Sequence, residues 1–170
     1  EAYVDFSTCS CVSLLGKYDN LVIVQTMSKS RSLAGLRIGY ALCSAELASV
    51  LEAVKNSYNS YTMDSIALAC GTASVEDDAY FRETCAKIIA TRDRSAGQLR
   101  ALGFTVLPSQ TNFLFATHQS RPAEEIFTAL KAQNIFVRYF RQPKIDNYLR
   151  ITVGTDAEMN RFFTALGQIL

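Results

Sequence analysis

The sequence predicts an α/β protein in two parts: a piece of a parallel-sheet domain over 1–76, then a smaller α+β domain over 77–170. Three observations support this prediction. A short β-branched apolar run at 21–24 is typical of a strand covered on both faces, as in a parallel sheet. A long amphipathic pattern then begins at Asp77 or Asp78. Beyond it, strand-length and helix-length patterns follow in the order β-β-α-β-β-α.

The first part is expected to contain two strands and two helices. The strands are predicted at 21–24 and 38–42. Ser44 is suited to cap a helix, because its hydroxyl can accept from the first free N–H groups. The apolar face of that helix carries Leu47, Val50, Leu51 and Val54. Polar residues over 56–61 interrupt the pattern, and helical character resumes around Ile66.

The second part is expected to open with a helix that runs to about Leu102 and ends at Gly103. A further helix is predicted over 122–132, because proline is accepted in a first turn. Thr155 and Glu158 form a capping box that opens the last helix. The strands are predicted at 104–107, 111–116, 135–138 and 148–153.

Composition narrows the classes of function. Hydrophobic residues make up 49% and charged residues 19% of the 170 positions, as in a folded globular protein. The net charge of +1 gives no field that attracts nucleic acid or an anionic membrane. No apolar run approaches the ~20 residues of a membrane helix. Composition therefore indicates neither a nucleic acid nor a membrane as the partner.

The cysteines favour a reduced, cytoplasmic setting. There are five of them, an odd number at scattered spacing, which does not suit a disulfide scaffold. The only histidine is His118, which lies outside every motif and is expected at the surface. With one histidine and no second cysteine pair, no metal site is expected.

The run TMSKSRSLAGLRIGY carries the chemistry of the chain. Lys29 follows a strand-like segment, and ligands of open α/β sheets bind outside the carboxyl ends of the strands. The hydroxyls of Thr26 and Ser28 and the guanidinium of Arg37 are suited to a phosphate group. A lysine that attacks a carbonyl must be unprotonated, and Arg31 and Arg37 are candidate cations that would favour this state.

Gly35 and Gly39 would permit a close approach of the backbone to such a ligand. Two other interpretations of this run were possible. In the first, Lys29 is a solvated residue of a serine-rich loop, and the residues alone leave this interpretation open. A nucleotide phosphate loop is excluded, because the glycines that it requires upstream of the lysine are absent.

The pattern Ser-Lys-x-x-x-Leu-Ala-Gly-Leu-Arg-x-Gly-Tyr resembles the cofactor-lysine motif of fold-type I pyridoxal-phosphate aminotransferases. The resemblance is to the class I/II branch that contains histidinol-phosphate aminotransferase. It implies pyridoxal 5'-phosphate as cofactor, with Lys29 forming the internal aldimine and shuttling the proton. Arg37, Ser28 and Thr26 would hold the cofactor phosphate, and Tyr3 would bond its phenolic oxygen.

The same resemblance implies how the chain relates to the family fold. Residues 1–76 would be the C-terminal part of the large, parallel-sheet, cofactor-binding domain, and residues 77–170 the small domain. The family aspartate that pairs with the pyridinium nitrogen would come directly before Glu1. The chain is therefore expected to be a fragment that is inactive by itself. The sequence departs from the family pattern over 30–32, where Ser-Arg-Ser replaces a small-aromatic-small insert.

A second segment, YLRITVGT, resembles the family segment whose arginine binds the anionic group of the substrate. This implies a substrate contact for Arg150, with Arg138 as a second one. The parent enzyme would transfer an amino group between an amino acid and a keto acid in histidine biosynthesis, as a homodimer. Two alternatives stay open: a lyase similar to threonine-phosphate decarboxylase, and a folded module without catalytic activity.

Overall fold

The computed structural model describes all 170 residues, which form two compact units, Glu1–Cys85 and Ala86–Leu170. The division falls inside the long helix α3 (Asp78–Ala101), whereas the domain boundary predicted near residue 76 coincides with the end of α2 (Ser65–Glu76). That boundary stays a prediction. The mixed α/β class is confirmed. No helix has the length and apolar character needed to cross a membrane.

The first unit is built on an antiparallel pair of strands, β1 (Ile23–Thr26) and β2 (Gly39–Leu42). Thr26 lies opposite Gly39, so the chain leaves β1 and enters β2 at the same end of the pair. Helix α1 (Ala45–Tyr58) follows, then α2 and the start of α3. Short 3-10 turns lie at Val4–Phe6, Cys11–Leu14 and Ala34–Leu36.

Strand β1 is covered on one face only, so the prediction of a strand covered on both faces is wrong for this chain. Ile23 is buried, whereas the neighbouring Val24 is 62% exposed. Successive side chains of a strand point to opposite faces, and β1 has β2 as its single neighbour. A β-branched run therefore identified the strand here but not the number of layers that pack on it.

Helix α1 begins as predicted, with the Ser44 hydroxyl accepting from the Leu47 N–H at 3.4 Å. Its predicted apolar face is formed but is not buried. Val50, Leu51 and Val54 are 55%, 44% and 62% exposed, and we refer to these three residues as the α1 stripe. The periodicity predicted the helix correctly, and the stripe lies at the surface of this chain.

The second unit contains a four-stranded antiparallel sheet in the order β3-β4-β6-β5. Together with two helices, these strands occur along the chain in the predicted order β-β-α-β-β-α. The elements are β3 (Phe104–Val106), β4 (Phe113–His118), α4 (Ala123–Ala132), β5 (Arg138–Tyr139), β6 (Leu149–Thr152) and α5 (Asp156–Ile169).

The hydrophobic core of this unit lies between one face of the sheet and its helices. Leu99, Ile126 and Leu166, from α3, α4 and α5, are completely buried in the same cluster as the inward residues of the sheet. In β6, Leu149 and Ile151 are buried in that cluster. Side chains alternate along a strand, so Arg150 points to the opposite face of the sheet.

Helix ends agree with the sequence more closely than strand ends do. Thr155 and Glu158 form the predicted capping box, with the Glu158 carboxylate 2.7 Å from the Thr155 N–H. Gly103 follows α3 with φ +86°, a left-handed conformation that favours glycine. Pro122 is the N-cap of α4, so this helix begins one residue later than predicted.

Strands β4 and β5 both begin later than predicted. The Ser109 hydroxyl donates to the Phe113 carbonyl at 2.6 Å, and the Phe113 N–H donates to the Thr111 hydroxyl at 3.2 Å. Side-chain hydroxyls thus satisfy backbone groups in a local turn and delay the strand. After α4, Asn134 adopts φ +58° and the Ile135 N–H bonds back to Leu130, so these residues end the helix rather than begin a strand.

Candidate functional site

Lys29 lies in a tight turn that directly follows β1. The Leu33 N–H donates to the Met27 carbonyl at 3.0 Å, and the Ser32 N–H donates to the Lys29 carbonyl at 3.2 Å. Ser32 has φ +56°, in the left-handed region that residues other than glycine seldom adopt. The backbone around Lys29 is therefore closed on itself by hydrogen bonds.

The Lys29 ammonium makes neither a hydrogen bond nor an ion pair. It lies over the ring of Tyr3, whose centroid is 5.7 Å from Nζ. An aromatic face attracts a cation electrostatically without forming an ion pair with it. The side chain is half-buried beside Tyr3. Because no protein group bonds to the amine, it is available to a ligand.

Two hydroxyls accompany the turn. Thr26 Oγ1 lies 2.9 Å from Ser28 Oγ and 3.2 Å from the Ile38 carbonyl, and it accepts from the Ser28 N–H at 3.1 Å. The single hydroxyl proton of Thr26 is thus used within the protein. Ser28 Oγ accepts in this network, which leaves its own proton to donate to a bound group.

Arg37 lies just before β2, and the residue after it contacts the segment that carries these hydroxyls. It directly precedes Ile38, whose carbonyl accepts from the Met27 N–H at 3.1 Å and lies 3.2 Å from the Thr26 hydroxyl. Arg37 has φ +58°, and its Nη1 donates to the Ala34 carbonyl at 2.8 Å. Its remaining N–H groups have no partner in the chain, so they complete a set of donors that fits an anion such as a phosphate ester.

The glycines of the motif differ in what surrounds them. A Cβ at Gly39 would lie 3.2 Å from the Gln25 carbonyl, so a side chain there would crowd the neighbouring strand β1. A Cβ at Gly35 would meet nothing within 4 Å. The close approach of a ligand to the backbone at these two glycines stays a prediction.

Sequence reasoning missed the contacts of the two residues that follow Lys29. Ser30 is buried and its hydroxyl donates to Asp5 Oδ2. Arg31, expected only as a nearby cation, donates through Nη1 to the Ser74 carbonyl and stacks 3.9 Å from the centroid of Phe81. The partners are 25 and 43 residues away in sequence, so no local signal could reveal them.

A separate network holds the residues before Tyr3. The Glu1 carboxylate accepts from the Cys11 N–H at 2.7 Å and from Gln25 Nε2 at 2.9 Å, and the Gln25 amide oxygen accepts from the Tyr40 hydroxyl at 2.7 Å. The Cys11 N–H, followed by Gln25, holds the pKa of Glu1 below its usual value. The start of the chain is thus bonded to β1 directly and to β2 through Gln25, which supports the position of Tyr3.

In the second unit, Arg138 and Arg150 lie directly opposite each other on β5 and β6. Like charges at directly opposed positions of a sheet repel each other. Neither arginine pairs with a carboxylate, whereas four other arginines of this unit each form an ion pair with an aspartate or a glutamate. The pair therefore concentrates positive charge on the face of the sheet that is turned away from the core.

Aromatic rings surround these two guanidinium groups. Arg150 Cζ lies 5.3 Å from the Phe113 ring and 5.8 Å from the Phe140 ring, and Arg138 Cζ lies 5.4 Å from Phe140. Arg150 Nε is buried without a hydrogen-bond partner. An unsatisfied buried donor costs free energy, so this face is suited to accept an anion.

The predicted site residues thus fall into two sets. Tyr3, Thr26, Ser28, Lys29 and Arg37 belong to the first unit, and Arg138 and Arg150 belong to the second. The expectation for His118 is wrong, because its half-buried ring has a structural role. Its Nε2 lies 3.0 Å from the Leu102 carbonyl and its Nδ1 accepts from the Arg121 N–H at 3.0 Å, which fixes the turn after β4.

Comparison with known proteins gives the family. Residues 1–166 match the family model described as aminotransferase class I and II, so the chain belongs to this family. It is 56% identical over 168 residues to histidinol-phosphate aminotransferase from Marinomonas sp. (strain MWYL1). That match covers 98% of this chain and 48% of the Marinomonas protein, so the chain spans about half the length of this relative.

Two solved structures are similar in fold. One is histidinol-phosphate aminotransferase from Sinorhizobium meliloti in complex with pyridoxal-5'-phosphate, with a TM-score of 0.86, 29% identity, and coverage of 99% of this chain and 47% of that one. The other is a decarboxylase from Sulfurospirillum multivorans, with a TM-score of 0.86, 28% identity, and coverage of 100% and 51%. The same fold thus occurs in proteins named for two different reactions.

Proposed function

We propose that this chain is the C-terminal part of a pyridoxal-phosphate-dependent aminotransferase similar to histidinol-phosphate aminotransferase. The full protein would exchange an amino group between an amino acid and a keto acid or phosphorylated ketone, in two half-reactions. The observation that carries the proposal is the Lys29 ammonium, half-buried beside Tyr3 and free of any ion pair. Membership of the aminotransferase family supports the same conclusion.

The donor set of the first unit fits the proposed cofactor. Pyridoxal phosphate supplies an aldehyde and an electron sink when it is bound. Lys29 Nζ is the atom that we assign to hold the aldehyde and to move a proton. The free hydroxyl proton of Ser28 and the unpartnered N–H groups of Arg37 would donate to the phosphate, with Thr26 orienting Ser28 at 2.9 Å. Tyr3 would bond the phenolic oxygen.

We assign Arg138 and Arg150 to the anionic group of the substrate. A guanidinium presents parallel N–H donors that match a carboxylate or a phosphate. The rings of Phe113 and Phe140 restrict the guanidinium planes, and the unsatisfied Nε of Arg150 offers a donor that has no partner within the protein. These features support an amino acid or a phosphorylated amino compound as substrate.

A lyase of the decarboxylase type is the second candidate. The decarboxylase from Sulfurospirillum multivorans shares the fold at 28% identity. A lysine and an arginine anchor serve both reactions, whereas the Cα bond held perpendicular to the cofactor ring selects between them. The third candidate, a folded module without activity, applies to the 170-residue chain and not to a full-length enzyme.

We further propose that the full-length enzyme is a cytoplasmic homodimer. All five cysteines are free, which suits a reducing compartment. The exposed α1 stripe is an apolar surface of the kind that other protein surfaces cover.

The test of the function uses the full-length protein titrated with pyridoxal phosphate. We expect a visible absorbance band that disappears in Lys29→Ala and persists in Lys17→Ala, a matched change at an exposed lysine of the same unit. Borohydride reduction should fix the cofactor to the peptide that contains Lys29, as read by mass spectrometry. A band that survives Lys29→Ala would remove the basis of the proposal.

The reaction class is decided by product analysis. With histidinol phosphate and a keto acid, the aminotransferase predicts transfer of the amino group. With threonine phosphate, a lyase predicts release of carbon dioxide. Carbon dioxide release without amino-group transfer would favour the second candidate.

A further inference from the structure

We infer that Ser30 and Arg31, the two residues after Lys29, are positioning residues that hold the Lys29 amine beside Tyr3. The inference rests on the proposed function, because it assigns these side chains a role toward the cofactor lysine. It adds residues that the lysine motif itself does not explain.

Ser30 connects the lysine turn to the turn that begins after Tyr3. Its buried hydroxyl donates to Asp5 Oδ2. Asp5 belongs to the 3-10 turn Val4–Phe6, for which Tyr3 is the N-cap, and the Phe6 N–H donates to the Tyr3 carbonyl at 3.0 Å. A hydrogen bond between two side chains therefore connects the turn that carries Lys29 to the turn that follows Tyr3, whose ring centroid lies 5.7 Å from Nζ.

Arg31 connects the same turn to two helices. Its Nη1 donates to the Ser74 carbonyl, in the last turn of α2. The last carbonyls of a helix have no partner within the helix, and the negative end of the helix dipole favours a cation there. The guanidinium also lies 3.9 Å from the centroid of Phe81 in α3, within the range of a cation–π contact.

Together these contacts fix both ends of a short segment. The Leu33 N–H to Met27 bond closes the turn, and the Ser30 and Arg31 side chains attach it to different elements. Lys29 then retains only its side-chain torsions. A reacting amine displaced by about 1 Å can lose a large part of its rate, so such anchoring has catalytic value.

The surroundings of Arg31 make its bonds important for this anchoring. Arg31 and Phe81 line a cavity of about 330 Å³ together with Asp77, Tyr80 and Thr84. Asp77 does not form an ion pair with Arg31, so the Ser74 carbonyl is the hydrogen-bond partner that holds the guanidinium. Because the cavity leaves room for movement, packing alone would not hold the turn if the guanidinium were removed.

The test compares Arg31→Met, Arg31→Lys and Ser30→Ala in the full-length protein, with Arg82→Met as the matched control. Arg82 is exposed and pairs only with Asp78 at 2.6 Å on the helix that carries Phe81. The measurements are the affinity for pyridoxal phosphate, the rate at which the Lys29-dependent visible band forms, and the pH titration of that band.

We expect Arg31→Met to weaken binding or slow band formation about tenfold to a hundredfold, as for the loss of a hydrogen bond from a charged group. The pH titration of the band should move as well. Ser30→Ala should act in the same direction. Arg31→Lys should recover part of the loss, because it keeps a cation at the end of α2 but loses the planar stacking. Arg82→Met should match the wild type.

Hydrogen exchange of the cofactor-free protein separates this inference from the proposed function. Arg31→Met should speed exchange of the Ser32 and Leu33 amides and leave the amides of β6 unchanged. If the visible band does not depend on Lys29, the proposed function fails, and the exchange data still decide whether Ser30 and Arg31 hold the turn. Amide exchange rates equal to those of the wild type in both Arg31→Met and Ser30→Ala, or faster amide exchange throughout the protein, would overturn the inference.

Discussion

Lys29 and Arg150 have in common that neither makes an ion pair, although Arg82, Arg94 and Arg121 all pair with carboxylates. Both unpaired cations are half-buried and lie near aromatic rings. A ring attracts a cation without neutralising it, so the charge stays available to a ligand. Residues of this kind are the ones whose substitution should affect binding more than stability.

Replacing Arg150 with lysine should raise the KM for an anionic substrate about tenfold to a hundredfold, with a smaller change in kcat. An ammonium cannot make two parallel hydrogen bonds, and it cannot stack on the rings of Phe113 and Phe140 as a guanidinium plane does. The measurement is steady-state kinetics of the full-length enzyme. Arg100→Lys, at an exposed arginine of α3, is the control and should keep the wild-type KM. An unchanged KM in Arg150→Lys would contradict the assignment.

The sequence could group candidate site residues that lie close together along the chain, but not contacts that depend on folding. Lys29, Ser28 and Arg37 lie within one motif, and the structure gathers them around a single turn. The Ser30 and Arg31 contacts join distant segments, so their partners could not be read from spacing. The opposition of Arg138 and Arg150 depends on the register of β5 and β6, which a residue pattern does not specify.

At the scale of elements, helix ends followed from local rules and strand ends did not. The start of α5 is a capping box in which the Thr155 N–H and, after it, the Thr155 hydroxyl hold the pKa of Glu158 below its usual value. Strand starts depend on competition between the sheet and nearby hydroxyls such as Ser109, which the alternation of apolar residues does not record.

Helix α5 is also attached to α3 by Asp156, and this attachment should depend on pH. Asp156 Oδ1 accepts from Arg94 Nη2 at 2.7 Å and from the Thr91 hydroxyl at 2.8 Å. Arg94 first, and Thr91 second, lower the pKa of the carboxyl in the folded protein. A lowered folded-state pKa adds stability above the unfolded-state pKa, and this stability is lost as the pH falls through the folded-state pKa.

Asp156→Asn should therefore reduce the free energy of unfolding at neutral pH and lose its effect in acid. The measurement is urea unfolding of wild type and variant over a series of pH values. Asp146→Asn, at an exposed residue without a hydrogen bond or an ion pair, should not change the free energy of unfolding. A difference that is equal at neutral and acid pH would show that the Asp156 charge is not responsible.

At the scale of the whole chain, the two units differ in how much apolar surface they bury. The second unit has a continuous core to which its three helices and three of its strands contribute. In the first unit, helices α1 and α2 and the segment between them leave large apolar side chains exposed, including Ile66 at 67% and Tyr58 and Tyr61 at 93%. The chain also spans about half the length of its relatives, consistent with a surface that a longer protein would cover.

This apolar surface should make the 170-residue chain associate with itself. Val54→Asp, in the middle of the α1 stripe, should weaken the association, because burying an unpaired carboxylate is costly. Ser49→Asp adds the same charge to the opposite side of α1 and should leave the association unchanged. Sedimentation velocity over a range of concentrations measures both variants. A chain that stays monomeric at all concentrations, or equal effects of the two substitutions, would show that the α1 stripe does not drive association.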